Sequence, residues 1–191
     1  MHQKGFTLVE LLVVLALIAI LAAILIVIIN PAEIFKRGRD TQREGDLRNL
    51  SAATDAYLSE MALNSSLTWP TCNNVYFSVT TTGNPTGWPA TTTATGTTSR
   101  AVDGTGWVPL KFNLVGVLNL TLLPLDPRNG QSGADAAGTS TVFAYSFACN
   151  TSNSYEYAAK LESSANNSLM QNDGGNQSGL YEVGPSRNIL Y

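Results

Sequence analysis

The pattern of apolar and polar positions divides the chain into three stretches. Between Leu11 and Ile29 there is no polar residue. As an α-helix rising about 1.5 Å per residue, this run reaches roughly 28 Å, close to the ~30 Å hydrocarbon core of a bilayer. A helix on the surface of a soluble domain keeps one polar side; this one is apolar all round and belongs in lipid or inside protein. A single carboxylate, Glu10, sits at its start. Next, Asn30-Pro31-Ala32-Glu33 predicts a break and a restart, since Asn30 suits a cap, Pro31 suits a first helical position and Glu33 falls at capping-box spacing.

From Pro31 to about Leu63 the pattern stays helical. Leu47, Leu50, Ala53, Ala56, Tyr57 and Met61 recur at three- and four-residue steps, giving one stripe that should pack on a globular head. The stretch KRGRDTQREGDLR before them mixes both signs and reads as a solvated helix face or a contact between subunits. Gly38 and Gly45 argue against a perfectly rigid helix there. Beyond Leu63, Thr, Asn, Ser and Gly take over. GWVPLKFN, STVFAYSFACN and SYEYAAKLES, each bounded by turn residues, predict short antiparallel strands. The Thr-rich VTTTGNPTGWPATTTATGTTS has no helical period and reads as an exposed loop or irregular edge. The fold class is therefore α+β: a long N-terminal helix, half membrane-spanning and half amphipathic, packed on a small antiparallel sheet.

Composition sharpens this picture in two ways. The 191 residues are 44% hydrophobic, 13% charged and carry a formal net charge of -3, so no nucleic-acid partner is indicated. A cleaved secretory signal would have an apolar stretch of roughly 7 to 15 residues and a small-residue exit site. Here the run is longer and Asn30-Pro31-Ala32-Glu33 is a poor exit, so the apolar segment is expected to stay.

The opening MHQKG followed by FTLVE and an unbroken apolar run resembles the class III leader of type IV pilins and type II secretion pseudopilins. The likeness covers the chain to about Ser59; LPLDPRNG, SYEYAAKLES, DGGN and YEVG resemble the back half of some members more loosely. It implies a cytoplasmic leader over residues 1–5, cut after Gly5 by a prepilin peptidase, and a mature chain starting at Phe6 with an N-methylated amine. It further implies a membrane and filament-core helix over 6–30, a stalk helix over 31–63 and an exported head over 64–191. The partners so implied are membrane lipid before assembly, the assembly platform, and copies of itself or other pilins in a helical filament. The implied location is a single-pass membrane protein that becomes an extracellular or cell-envelope filament. Lys4 against Lys36, Arg37, Arg39 and Arg43 points the other way by the positive-inside rule; the leader takes precedence.

Glu10 has two readings. Thr7-Leu8-Val9-Glu10 fits a capping box. A carboxylate in an apolar bundle also seeks a cation, and the Phe6 amine of a neighbouring subunit is the natural one, which makes Glu10 an assembly residue. Ala19 and Ala23, with Ala16 and Ala22, form a small-residue face suited to close helix packing in lipid.

Candidate chemistry is sparse. His2 is the one histidine, and it lies in the leader, so the mature chain has no His-based triad or His-ligated metal site. No enzyme is expected. Cys72 and Cys149, in an exported domain, suggest one disulfide, with two buried thiols as the alternative. Asp126, Asn129 and Asp135, among glycines in LPLDPRNGQSGADAAGTS, make an oxygen-rich loop that could hold calcium or be a plain turn. The leading function is a structural subunit of a type IV pilus-like filament. Alternatives are a pseudopilin of a secretion or DNA-uptake system, and a minor tip subunit that displays Trp69, Trp88 and Trp107 to a ligand.

Overall fold

A computed structural model of the protein describes residues 5–72, 74–90 and 93–189, apart from the side chain of Val27. His2 and Lys4 lie outside them. The chain divides into two units, the first ending at Lys36 and the second beginning at Arg37.

The first unit is helical. Helix α1 runs Leu8–Ile29, and a stretch of it, Leu8–Ile26, is long and apolar enough to cross a membrane, with none of it buried inside the chain. It stops at Asn30, which takes the left-handed conformation (φ 45°, ψ 76°) that Asn tolerates better than most residues. The Asn30 carbonyl then accepts the Glu33 N–H at 3.0 Å. Helix α2, Pro31–Met61, restarts with proline at its first position, where the missing N–H costs nothing. The break expected at Asn30 is present.

In the second unit α2 continues uninterrupted through Gly38 and Gly45. The strands are β1 Val75–Phe77, β2 Ala94–Gly96, β3 Ser132–Ala134, β4 Ser140–Val142, β5 Tyr145–Cys149, β6 Tyr155–Ala159 and β7 Tyr181–Val183, with a short helix α3 at Asn167–Gln171. Five strands form one sheet in the order β2-β1-β5-β6-β7, and β3 and β4 form a separate antiparallel pair. Every pairing in the large sheet is antiparallel except β1 with β2, which is parallel. A parallel neighbour needs a long crossover, and the Thr-rich stretch supplies it. That stretch is thus both crossover and, through β2, an edge strand.

The two faces of the sheet are chemically distinct. Toward α2, Tyr145, Phe147, Tyr155, Tyr157 and Tyr181 pack with Leu47, Leu50, Ala53 and Tyr57. The alternation that points these aromatics one way points Ala144, Ala148 and Ala158 to the other face, with Phe77, Trp88 and Leu180. A buried tyrosine needs a partner for its hydroxyl, and α2 provides them. Tyr145 donates to Asp46 at 2.8 Å, Tyr155 to Asp55 at 2.6 Å, and the Tyr157 hydroxyl lies 2.8 Å from Thr54 Oγ1.

GWVPLKFN forms no strand. Trp107, Val108, Leu110 and Phe112 are buried there, but the segment ends in a 3-10 turn at Phe112–Leu114 and joins other backbone through the Trp107 N–H on the Ser99 carbonyl, the Asn113 N–H on the Val102 carbonyl and an isolated bridge from Asp103 to Lys111, with no strand pairing. Pro109 lacks the N–H that a ladder would use.

Candidate functional site

At the N-terminus Gly5 is exposed, and a Cβ placed on it would meet nothing within 4 Å. Phe6 is 86% exposed. Thr7 is the N-cap of α1, in extended conformation, and the capping box is complete. The Thr7 hydroxyl accepts the Glu10 N–H at 3.2 Å, while Glu10 Oε2 accepts the Thr7 N–H and hydroxyl, each at 2.9 Å. Within one chain, therefore, Glu10 finishes a helix start. Among the described residues, the hydrogen bonds of its carboxylate both run through Oε2.

The head holds a buried charge cluster built on α2. Arg43 is fully buried and reaches three carboxylates: Nε to Asp126 Oδ2 at 2.7 Å with Nη2 to Asp126 Oδ1 at 2.8 Å, Nη1 to Asp40 Oδ1 at 2.8 Å, and Nη2 to Glu162 Oε1 at 2.7 Å. Glu162 also accepts two bonds from Arg39, at 2.8 and 2.7 Å, and one from Arg128 at 3.0 Å. Asp40 accepts the N–H groups of Glu162 and Ser163, each at 2.9 Å, and the Asn166 amide at 2.8 Å. The Arg43 and Arg128 guanidiniums lie 4.8 and 4.7 Å from the centre of the Phe143 ring.

Three arginines face three carboxylates, so the cluster is neutral and each charge is answered. That is the condition under which buried ions are tolerable. Burial raises the Glu162 pKa, but hydrogen bonds from Arg39, Arg43 and Arg128 outweigh it and hold the carboxyl down at about 2. Burial likewise opposes the charge on Arg43, and Asp126 and Glu162 reverse the effect. The cluster pins the DPRN turn and the segment after β6 to α2.

This overturns the solvated reading of KRGRDTQREGDLR at Asp40 and Arg43. The signal was present in the spacing. Positions 40, 43, 47, 50, 54 and 57 form one helix face, and carrying the apolar stripe backward lands on Asp40 and Arg43. Their partners Asp126, Arg128 and Glu162 are far away in sequence, and no local pattern links them.

The three residues considered for calcium are engaged with protein partners. Asp126 has both oxygens on Arg43, and its Oδ1 also caps the Arg128 N–H at 2.7 Å. Asn129 accepts from the Ser78 hydroxyl at 2.7 Å and donates to the Ser78 carbonyl at 2.8 Å. Asp135 accepts the Ala137 and Thr139 N–H groups and an ion pair from Lys160 at 3.1 Å. The structure does not assemble them as a ligand set, and no group of three or more His, Cys, Asp or Glu side chains able to hold a metal occurs among the described residues.

Cys72 and Cys149 are joined by a disulfide with Cα atoms 5.1 Å apart. Trp107 and Trp88 are buried, at 1% and 7% exposure, and donate to the Pro124 and Val142 carbonyls. Trp69 is half-buried and donates to the Asn150 carbonyl. None is an open aromatic platform.

Residues 1–26 match the family model described as the prokaryotic N-terminal methylation motif. The chain opens with a class III leader. This is the leader of type IV pilins, and here an apolar helix follows it directly. No curated protein and no solved structure matches the chain. A class III leader ahead of such a helix fits a precursor that enters the membrane before assembly, and it implies processing machinery and other pilins as partners in general terms.

Proposed function

We propose that the protein is a structural, non-catalytic subunit of a type IV pilus-like filament. It enters the membrane as a prepilin, is cut after Gly5 by a prepilin peptidase, is N-methylated on Phe6, and stacks with its copies through α1 while the head remains outside. The observation that carries this reading is the methylation motif over residues 1–26 lying in register with Gly5, Phe6, Glu10 and an apolar helix that the chain itself leaves uncovered. The surroundings of Gly5 support it, because among the described residues nothing beyond its chain neighbours comes within 4 Å of where a Cβ on Gly5 would lie. The disulfide suits an exported head, since such bridges persist in oxidising compartments. With the tryptophans taken up by the core and by backbone carbonyls, a tip subunit binding ligand through them loses its main support.

Mass spectrometry of protein processed in its own membranes tests the reading. The expected chain begins at methylated Phe6. A product starting near Asn30, or intact Met1 in assembled material, would overturn it. Gly5→Leu should leave the precursor uncut, because a bulky side chain replaces the bare backbone beside the scissile bond.

A further inference from the structure

On the face of the sheet away from α2, two buried carboxyl groups meet. Glu156 on β6 is 0% exposed and Glu182 on β7 is 1% exposed. Glu182 lies opposite Ala158, so Glu156 is its diagonal neighbour, within reach of a long side chain. Each has one carboxyl oxygen, Glu156 Oε1 and Glu182 Oε1, buried without a hydrogen-bond partner, and after burial itself the neighbouring Glu156 carboxyl raises the Glu182 pKa. Two carboxylates are acceptors only, so a hydrogen bond between them requires a proton on one of them.

Glu182 Oε1 is buried and accepts no N–H or O–H, and Oε2 accepts the Gln177 N–H at 3.0 Å. The space is tight: a Cβ at Gly175 would collide with the Glu182 carboxyl. Charged groups on the neighbouring elements are few. Asp173, before β7, adds a third negative group and accepts the Gly175 and Glu182 N–H groups. Lys160, the residue after β6, is paired with Asp135. Arg187 stands by Gly174, and neither Asp173 nor Glu182 forms an ion pair with any described Lys or Arg. The Thr-rich crossover brings no charge at all.

Glu156 also holds the C-terminal segment that carries Glu182. Ile189 donates its N–H to Glu156 Oε2 at 2.8 Å, while Gln177 donates to Glu182 within the segment. We propose that Glu156 and Glu182 share one proton and act as a pH-sensitive latch that fastens the C-terminal strap, residues 173–189, against the back of the sheet. Removing the proton sets two buried negative charges against each other, beside Asp173, where the strap is tied to β6.

The direction follows from linkage. Burial first, then the bond to Glu156 and the charges of Glu156 and Asp173, push the Glu182 carboxyl up to about 9, whereas released to water it returns to about 4.3. A raised value makes the stabilisation complete below the free value and lost as pH rises toward the folded one. Between about pH 5 and 9 the closed strap holds a proton that the open strap does not, so its closing constant falls about tenfold per pH unit.

Hydrogen exchange on the full-length protein in detergent micelles, corrected for intrinsic rates, reads this directly at the Gln177, Glu182 and Ile189 amides. Protection should fall about tenfold per unit from pH 6 to 8 in EDTA. Glu182→Gln keeps an acceptor for Gln177 and adds an N–H for Glu156, so the slope should vanish and protection at pH 8 should exceed the parent's. Glu156→Gln makes the same substitution from the other side and carries the test if the first variant does not fold. A flat parent profile would overturn the latch, as would a slope that survives in the variants. So would protection restored at pH 8 by calcium, which would mean that a cation, not a proton, joins the acids.

Discussion

At the scale of single residues the decisive feature is Arg43. A surface arginine on a helix contributes little, and its removal usually shifts stability by less than about 0.5 kcal/mol. Arg43 is instead the common cation of Asp126, Asp40 and Glu162. Arg43→Leu leaves three carboxylates without that partner in a buried site, and breaking such a pair from one side costs about 3 to 5 kcal/mol. Chemical denaturation of the full-length protein in detergent should show a loss of that order, with exposed Arg37→Ala as a near-neutral control. The same cluster sets an acid limit. Glu162 is held at about 2 against roughly 4.3 when free, so its contribution is complete above the free value and lost as pH falls through 2. Titrating from pH 5 to 2 should therefore weaken the parent, and Glu162→Gln should flatten that acid limb while lowering stability at pH 5.

Elements follow from local sequence in proportion to how local their partners are. Both helices were legible because caps, proline and three- and four-residue spacing act within a few positions of one another. Strands β5 and β6 were legible because the aromatics Tyr145, Phe147, Tyr155 and Tyr157 alternate with Ser146, Ala148, Glu156 and Ala158. The parallel edge β2 was not, since Ala94–Gly96 gains its strand character from pairing with β1 across a long crossover. GWVPLKFN misled for the opposite reason: apolar residues at strand spacing signal burial, while Pro109 prevents a ladder. The disulfide was half-legible, because two cysteines suggest a bridge while only folding brings β5 beside the segment that precedes β1. It spans 77 residues, which the chain-entropy model equates with about 4.5 kcal/mol. Non-reducing thiol labelling after denaturation should find neither cysteine reactive, and reduction should lower the melting temperature. Helix α2 also carries two interior glycines with open space where a Cβ would lie. Gly45→Ala should raise head stability by about 1 kcal/mol, measured by the same denaturation, since alanine restricts the unfolded chain and fits the helix.

For the whole molecule the question is what a carboxylate does at the head of an apolar helix. Insertion scales charge an acidic group roughly 2.5 to 3.5 kcal/mol at mid-membrane and less toward an end, so Glu10 near the start of α1 is tolerated rather than helpful for entry. Capping accounts for one oxygen, because Oε2 takes both the Thr7 N–H and its hydroxyl. It does not require charge, since the carbonyl of a glutamine at this position accepts the same two bonds. Pairing with the Phe6 amine of a neighbouring subunit does require charge, because a neutral amide leaves that amine unanswered among apolar side chains. Glu10→Gln therefore keeps what the single chain uses and removes only what assembly uses. The variant should insert, be cut and be methylated like the parent, yet its ratio of sheared filament to membrane pool, measured at equal expression, should fall at least tenfold. An unchanged ratio would confine Glu10 to capping, and assembly would then rest on the apolar contacts of α1 alone.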